Sequence, residues 1–129
     1  MAKDEALTRI LLVEDEEDIR AVAEVALEVV GGFTLKACAS GREALTAIAD
    51  FAPQLVILDV MMPGMDGPET LRAIRGLPDF ESTPVVFMTA KVQSEEVASY
   101  LAHGAVGVIP KPFDPMALAD RVNDIWRSC

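Results

Sequence analysis

Four places in this 129-residue chain put a chemically active side chain just beyond a short apolar run. Glu14 and Asp15 follow the run at 10–13, Asp59 follows 55–58, Thr89 follows 85–88, and Lys111 comes soon after 106–109. Glu14, Asp15 and Asp59 would crowd one another if the first and third runs are neighbours, because two unit charges at about 4 Å repel by on the order of 4 kcal/mol near a protein surface. Such a cluster either takes up protons or holds a cation. Oxygen-only ligands with few side chains suit Mg²⁺, with Mn²⁺ as an alternative; Mg²⁺ keeps several waters and often shares its site with phosphate. Lys111 adds a point positive charge and Thr89 a hydroxyl donor, together a polar clamp for a small anion beside the metal. One carboxylate can then act as nucleophile on a phosphoryl group and carry it as an aspartyl phosphate.

Those residues work together only if the runs are strands that end at one edge. The runs at 10–13, 55–58, 85–88 and 106–109 are near-continuously apolar, as in a parallel sheet covered on both faces. In the run at 35–39, by contrast, Leu35, Ala37 and Ala39 alternate with Lys36 and Cys38, which suits a half-covered edge strand. Pro110 cannot donate to a ladder, so the fifth strand is expected at the other edge. Between the runs lie helical patterns. Ile19, Val22, Ala23, Ala26, Leu27 and Val30 share one helical face, and Gly31-Gly32 stops that helix. Ser40 with Glu43 reads as a capping box, Gly67-Pro68 opens a third helix, Ser94 with Glu95 and Glu96 starts a fourth, and Asp114-Pro115 starts a fifth. Five strand–helix units predict an α/β fold, a doubly wound (βα)5 parallel sheet in a single domain over 1–129, with its core at about 8–127. Right-handed crossovers put all five strand C-termini on one edge, where ligands bind in such sheets.

Composition narrows the classes of function. Hydrophobic residues at 51% and charged residues at 25% exclude intrinsic disorder. No apolar run is long enough to span a membrane, and residues 1–5 carry acids without a signal-peptide core behind them, so a cytoplasmic location is expected. Cys38 and Cys129 form no disulfide framework and read as reduced thiols. A net charge of −10 argues against direct nucleic-acid binding, which depends on neutralising phosphates.

The acidic pair Glu14-Asp15, the stretch Leu58-Asp59-Val60-Met61-Met62-Pro63-Gly64-Met65-Asp66-Gly67, the triplet Met88-Thr89-Ala90 and the triplet Lys111-Pro112-Phe113 occur in this order, each at a strand end. Over residues 8–126 the chain resembles a response-regulator receiver domain of two-component signalling, similar to the chemotaxis regulators. The resemblance implies the flavodoxin-like strand order 2-1-3-4-5 and phosphorylation of Asp59 by a sensor histidine kinase or phosphotransfer protein. It implies Mg²⁺ held by Asp15, Asp59 and the backbone carbonyl of Met61, with Glu14 reaching the ion directly or through water. It further implies that Thr89, the Ala90 amide and Lys111 contact phosphoryl oxygens, with Asp59, Lys111 and Thr89 as the catalytic set, and that the bond before Pro112 is cis. Met61 and Lys91, two residues after Asp59 and Thr89, flank the site in the family and tune hydrolysis.

Two positions depart from the family pattern. Glu14 stands where aspartate is common, and its extra methylene favours an outer-sphere role. Val108, three residues before Lys111, stands where many receivers carry an aromatic whose rotation follows the hydroxyl at the Thr89 position; valine cannot make that rotation. The expected route is instead through backbone and helix shifts at the face formed by the fourth helix, fifth strand and fifth helix, read by a downstream protein target. The alternatives are weaker. A Mg²⁺-dependent phosphohydrolase starting from an aspartate needs a second acid two residues on, where Met61 stands. An FMN carrier needs a Ser/Thr/Gly-rich loop where Glu14-Asp15-Glu16 would repel phosphate. A degenerate receiver would lack Asp59 or Lys111. The chain therefore reads as a switch that assists its own phosphorylation and slow dephosphorylation, not a metabolic enzyme. It is expected to stand alone, the alternative being a receiver module from a longer hybrid kinase or DNA-binding regulator. His103 at a helix end, the methionines, Tyr100, Trp126 and Cys38 read as structural or partner-contact residues.

Overall fold

The computed structural model describes residues 5–129; the acid-bearing opening at 1–4 lies outside the described residues. Five parallel strands alternate with helices: β1 Arg9–Val13, α1 Glu17–Val25, β2 Thr34–Cys38, α2 Gly41–Phe51, β3 Leu55–Asp59, α3 Gly67–Arg75, β4 Val85–Thr89, α4 Ser94–Ala102, β5 Gly107–Pro110 and α5 Leu118–Ser128. Their order in the sheet is β2-β1-β3-β4-β5, so the two strands expected at the edges are there.

The period of two along each strand divides the core between the two faces. Ile10 and Leu12 of β1, Leu55 and Ile57 of β3, Val86 and Met88 of β4 and Ile109 of β5 pack with Ala23, Leu27, Val122 and Trp126 under α1 and α5. Leu11, Val13, Val56, Leu58, Val85, Phe87 and Val108 pack with Ile48, Ile74 and Tyr100 under α2, α3 and α4. Carrying the alternation to the strand ends and one step beyond puts Glu14, Asp59 and Lys111 on the α1/α5 side, and Thr89 on the α4 side. No helix among the described residues is long and apolar enough to cross a membrane.

Several local expectations are corrected. The apolar stripe puts Val30 on the buried face of the first helix, yet it is 46% exposed. After Val25 the helix widens into a π turn over Ala26–Val30, which rotates the residues beyond it by one position. Gly31 takes the inner position, so close to α5 that a Cβ on it would lie 2.8 Å from the Ala119 Cβ. Ser94 is the first helical residue of α4 and not its cap; the N-cap is Gln93, whose amide donates to Glu96 Oε1 at 3.2 Å. Asp114 caps a single tight turn, accepting from the Met116 amide at 2.9 Å, and α5 begins only at Leu118. Ser40 does accept from the Glu43 amide at 3.1 Å, while the Glu43 carboxylate reaches the Ala39 amide at 3.2 Å, one residue earlier than a capping box requires.

Candidate functional site

The loops after β1, β3, β4 and β5 meet at one end of the sheet. Val13 pairs with Leu58 in the β1–β3 register, which makes Glu14 and Asp59 lateral neighbours one step on. Asp59 pairs with Met88, and the Lys111 amide donates to the Thr89 carbonyl at 2.9 Å, continuing the β4–β5 ladder to the lysine. The sharp exit from β3 depends on Gly67. A Cβ there would lie 2.7 Å from the Asp59 carbonyl oxygen and from the Val60 Cα, so α3 can start this close only without a side chain. Asp66 and Glu69 close a reciprocal capping box at 2.9 and 3.1 Å and fix that start.

Glu14 is 0% exposed and Asp59 3%. Lys111 Nζ lies 2.7 Å from Glu14 Oε1 and 3.0 Å from Asp59 Oδ1, so one ammonium serves two buried carboxylates. The other Glu14 oxygen accepts from the Glu16 amide at 3.0 Å. Glu14, Asp15 and Asp59 each offer an oxygen, all within 4.8 Å of one another. Asp15 Oδ1 is buried without a hydrogen-bond partner, an expensive arrangement unless something else binds it. A three-carboxylate, all-oxygen donor set with one oxygen left over fits Mg²⁺.

The electrostatics agree with that density of charge. Burial pushes the Asp59 carboxyl from 3.8 up to about 7; Lys111 pulls against this, and Glu14 adds to it. Burial also works against the Lys111 ammonium, but Glu14 and Asp59 outweigh it, so its pKa lies above 10.5 and the amine stays charged.

An open pocket of about 620 Å³ fronts the cluster, lined by Asp59, Met61, Thr89, Ala90 and Lys111 among others. The side chains named from the sequence are thus gathered in one place: Asp59, Met61, Thr89, Ala90 and Lys111 on the pocket wall, with Glu14 and Asp15 completing the acid cluster. Lys91 also lines this pocket, and the Lys111–Pro112 bond is cis. His103 is not among the lining residues; its Nδ1 lies 2.7 Å from the Ser99 carbonyl oxygen in α4. Cys38 is buried, Cys129 is half-buried, and no disulfide joins them.

Two contributors escape a reading of the sequence. Arg20, one turn into α1, donates to the Glu14 carbonyl at 2.9 Å and ties the acid-bearing loop to the helix. Its spacing from Glu14 is the available signal, but a single arginine on a helix is usually solvated. Ile19, Val22 and Phe113 make the pocket mouth apolar, although the helical pattern assigns the first two to the core alone.

The chain is similar to known proteins in sequence and in fold. The family model described as the response regulator receiver domain matches residues 10–123. The transcriptional regulatory protein CseB of Streptomyces avermitilis is 37% identical over 120 residues, covering 93% of this chain and 49% of the relative. The DNA-binding response regulator MtrA of Mycobacterium tuberculosis is 36% identical over 115 residues, covering 89% of this chain and 49% of the relative. The chain thus spans about half the length of the curated relatives it matches. Among solved structures, the chemotaxis protein CheY4 of Vibrio cholerae superposes with a TM-score of 0.85 at 31% identity, covering 93% of this chain and 99% of that one. The receiver domain of NtrX from Brucella abortus gives 0.81 at 31% identity, covering 93% and 99%.

Proposed function

The chain belongs to the response-regulator receiver domain family, and from that premise we propose that it is phosphorylated on Asp59 by a sensor histidine kinase or phosphotransfer protein. The observation that carries this reading is the meeting of Lys111 Nζ with Asp59 Oδ1 at 3.0 Å on the wall of an open pocket that Thr89 also lines. An Asp59 carboxylate oxygen attacks the phosphorus of a phosphohistidine in line. The P–O bond forms as the P–N bond breaks, and the imidazole nitrogen leaves with the electron pair and takes up a proton. Lys111 neutralises charge on the phosphoryl oxygens, while the Thr89 hydroxyl and the Ala90 amide donate to them. Asp15, Asp59 and the Met61 carbonyl would hold Mg²⁺, with Glu14 behind them, and the bound ion would supply positive charge that offsets repulsion between the carboxylate and the phosphoryl group.

Receiver domains are signalling modules and not metabolic enzymes. The added charge here is converted into a population shift of the surface around α4, β5 and α5, which a downstream protein reads. Slow hydrolysis at the same site ends the signal, tuned by Met61 and Lys91. The protein works in the cytoplasm, and at a net charge of −10 the receiver itself makes no direct contact with nucleic acid. The half-length matches to CseB and MtrA support a second reading, a receiver controlling a DNA-binding domain in a longer chain.

Incubation with Mg²⁺ and acetyl phosphate tests the assignment. Intact mass should show a labile phosphoryl adduct that EDTA and Asp59→Asn both abolish. An adduct that survives the substitution places the nucleophile elsewhere.

A further inference from the structure

Val108 leaves β5 without an aromatic, but the α4 side of the sheet is not without one. Val108 lies opposite Phe87 in the β4–β5 register. The Phe87 ring meets Tyr100 of α4 edge-on, with centroids 5.5 Å apart at 79°. Among the nine residues of α4, Tyr100 alone is buried, so this side chain is the main anchor of the helix. Its phenol O–H donates to the Lys91 carbonyl at 3.1 Å. The amide of the same Lys91 donates to Thr89 Oγ1, also at 3.1 Å. A continuous path of two hydrogen bonds through one residue therefore joins the hydroxyl at the pocket wall to the buried side of α4. Thr89 shares the parity of Phe87 on β4, which puts it on the α4 side of the sheet.

We propose that Tyr100 is a positioning residue that holds the Thr89–Lys91 segment and transmits phosphorylation of Asp59 to α4. The proposal rests on the receiver reading above and adds its output route. When the Thr89 hydroxyl turns to donate to a phosphoryl oxygen, its lone pairs move away from the Lys91 amide. The Lys91 peptide must follow or lose that bond. Its carbonyl carries the Tyr100 phenol with it, and α4 shifts as the body attached to the phenol. No rotation of a β5 side chain is needed. The Thr–Lys–Tyr path also explains how a chain with valine at 108 can couple its site to a helix.

Tyr100→Phe tests this, since it keeps the ring and its contact with Phe87 and deletes only the oxygen. Amide hydrogen exchange is followed over residues 89–102 in the wild type and the variant, at rest and with Mg²⁺ and beryllium fluoride. At rest, exchange at Lys91 and the first turn of α4 should rise about fivefold in the variant, the size of one lost hydrogen bond. With beryllium fluoride, the wild type should change its exchange across α4. The variant should still form the acetyl-phosphate adduct but show less than about half of the α4 change. A merely structural role would lower stability without separating adduct formation from the helix response. Equal resting exchange in the two proteins overturns the tether, and an undiminished α4 response in the variant overturns the transmission. If the wild type forms no adduct, the receiver reading fails and the transmission falls with it, while the resting comparison still decides the tether.

Discussion

Replacing Asp59 by asparagine should make the metal-free protein more stable while removing its proposed phosphorylation site. The oxygens of Glu14, Asp15 and Asp59 lie within 4.8 Å of one another, so at an effective dielectric near 20 each like-charged pair costs at least ~3.5 kcal/mol. Lys111 at 3.0 Å from Asp59 returns ~5.5 kcal/mol on the same scale, less than the two repulsions Asp59 feels. Burial is the largest cause of the raised pKa and Glu14 adds to it, against the pull of Lys111, and the result is a carboxyl titrating at about 7 instead of 3.8. An acid with a raised folded pKa binds more protons folded than unfolded. The wild type should therefore lose stability as pH rises from about 4 to about 7. The asparagine side chain carries no such charge. With solvent screening in an open pocket, Asp59→Asn should gain about 2 kcal/mol at pH 8 in EDTA, some 6–8 °C in Tm. Mg²⁺ should narrow the difference, because an ion at ten times its dissociation constant stabilises the wild type by about 1.4 kcal/mol and binds the variant more weakly. Urea denaturation at pH 5 and 8, with EDTA or Mg²⁺, measures all four values. A variant no more stable than the wild type at pH 8 in EDTA, or one that gains equally from Mg²⁺, would refute the charge-crowding argument.

Two other outcomes rest on single side chains. Lys111→Ala should cost about 3 kcal/mol in EDTA at pH 8, because it strands the buried Glu14 and Asp59 carboxylates; adding Asp59→Asn should restore part of that loss, and strictly additive urea midpoints would show that the groups do not interact. Cys38, buried and with its thiol pushed up to about 11 by burial and then by Glu43, should not react with Ellman's reagent at pH 8 in a Cys129→Ser background until the protein unfolds.

Most of the site can be read from the sequence, because it sits where the strand pattern ends. An apolar run identifies each strand, and in a parallel sheet the first polar residue beyond each run falls on one shared edge. Glu14, Asp59, Thr89 and Lys111 are therefore located by the same rule that locates the strands. The departures arise where tertiary contact overrides local periodicity. Val30 fits the apolar stripe of the first helix, yet close packing of Gly31 against Ala119 goes with a π turn that moves it outward. Asp114-Pro115 has the composition of a helix start, but its hydrogen bonds close a separate turn first. Tyr100 reads as a packing residue because nothing in its neighbours along the chain points to the Lys91 carbonyl nine residues back.

The division of the core into two faces bears on how the proposed phosphorylation would be transmitted. Glu14, Asp59 and Lys111 continue the strand faces that α1 and α5 cover, whereas Thr89 continues the face that α4 covers. A phosphoryl group on Asp59 that bonds Lys111 and Thr89 together would straddle the sheet edge and draw both faces toward one point. Movement of α5 is resisted, because Lys111 already holds two buried carboxylates and α5 buries five of its residues. On the other side, α4 is held by one buried tyrosine. Equal pulls on unequally anchored elements move the weaker one. On the proposed reading α4, held by a single buried tyrosine, should therefore yield before α5, which buries five residues.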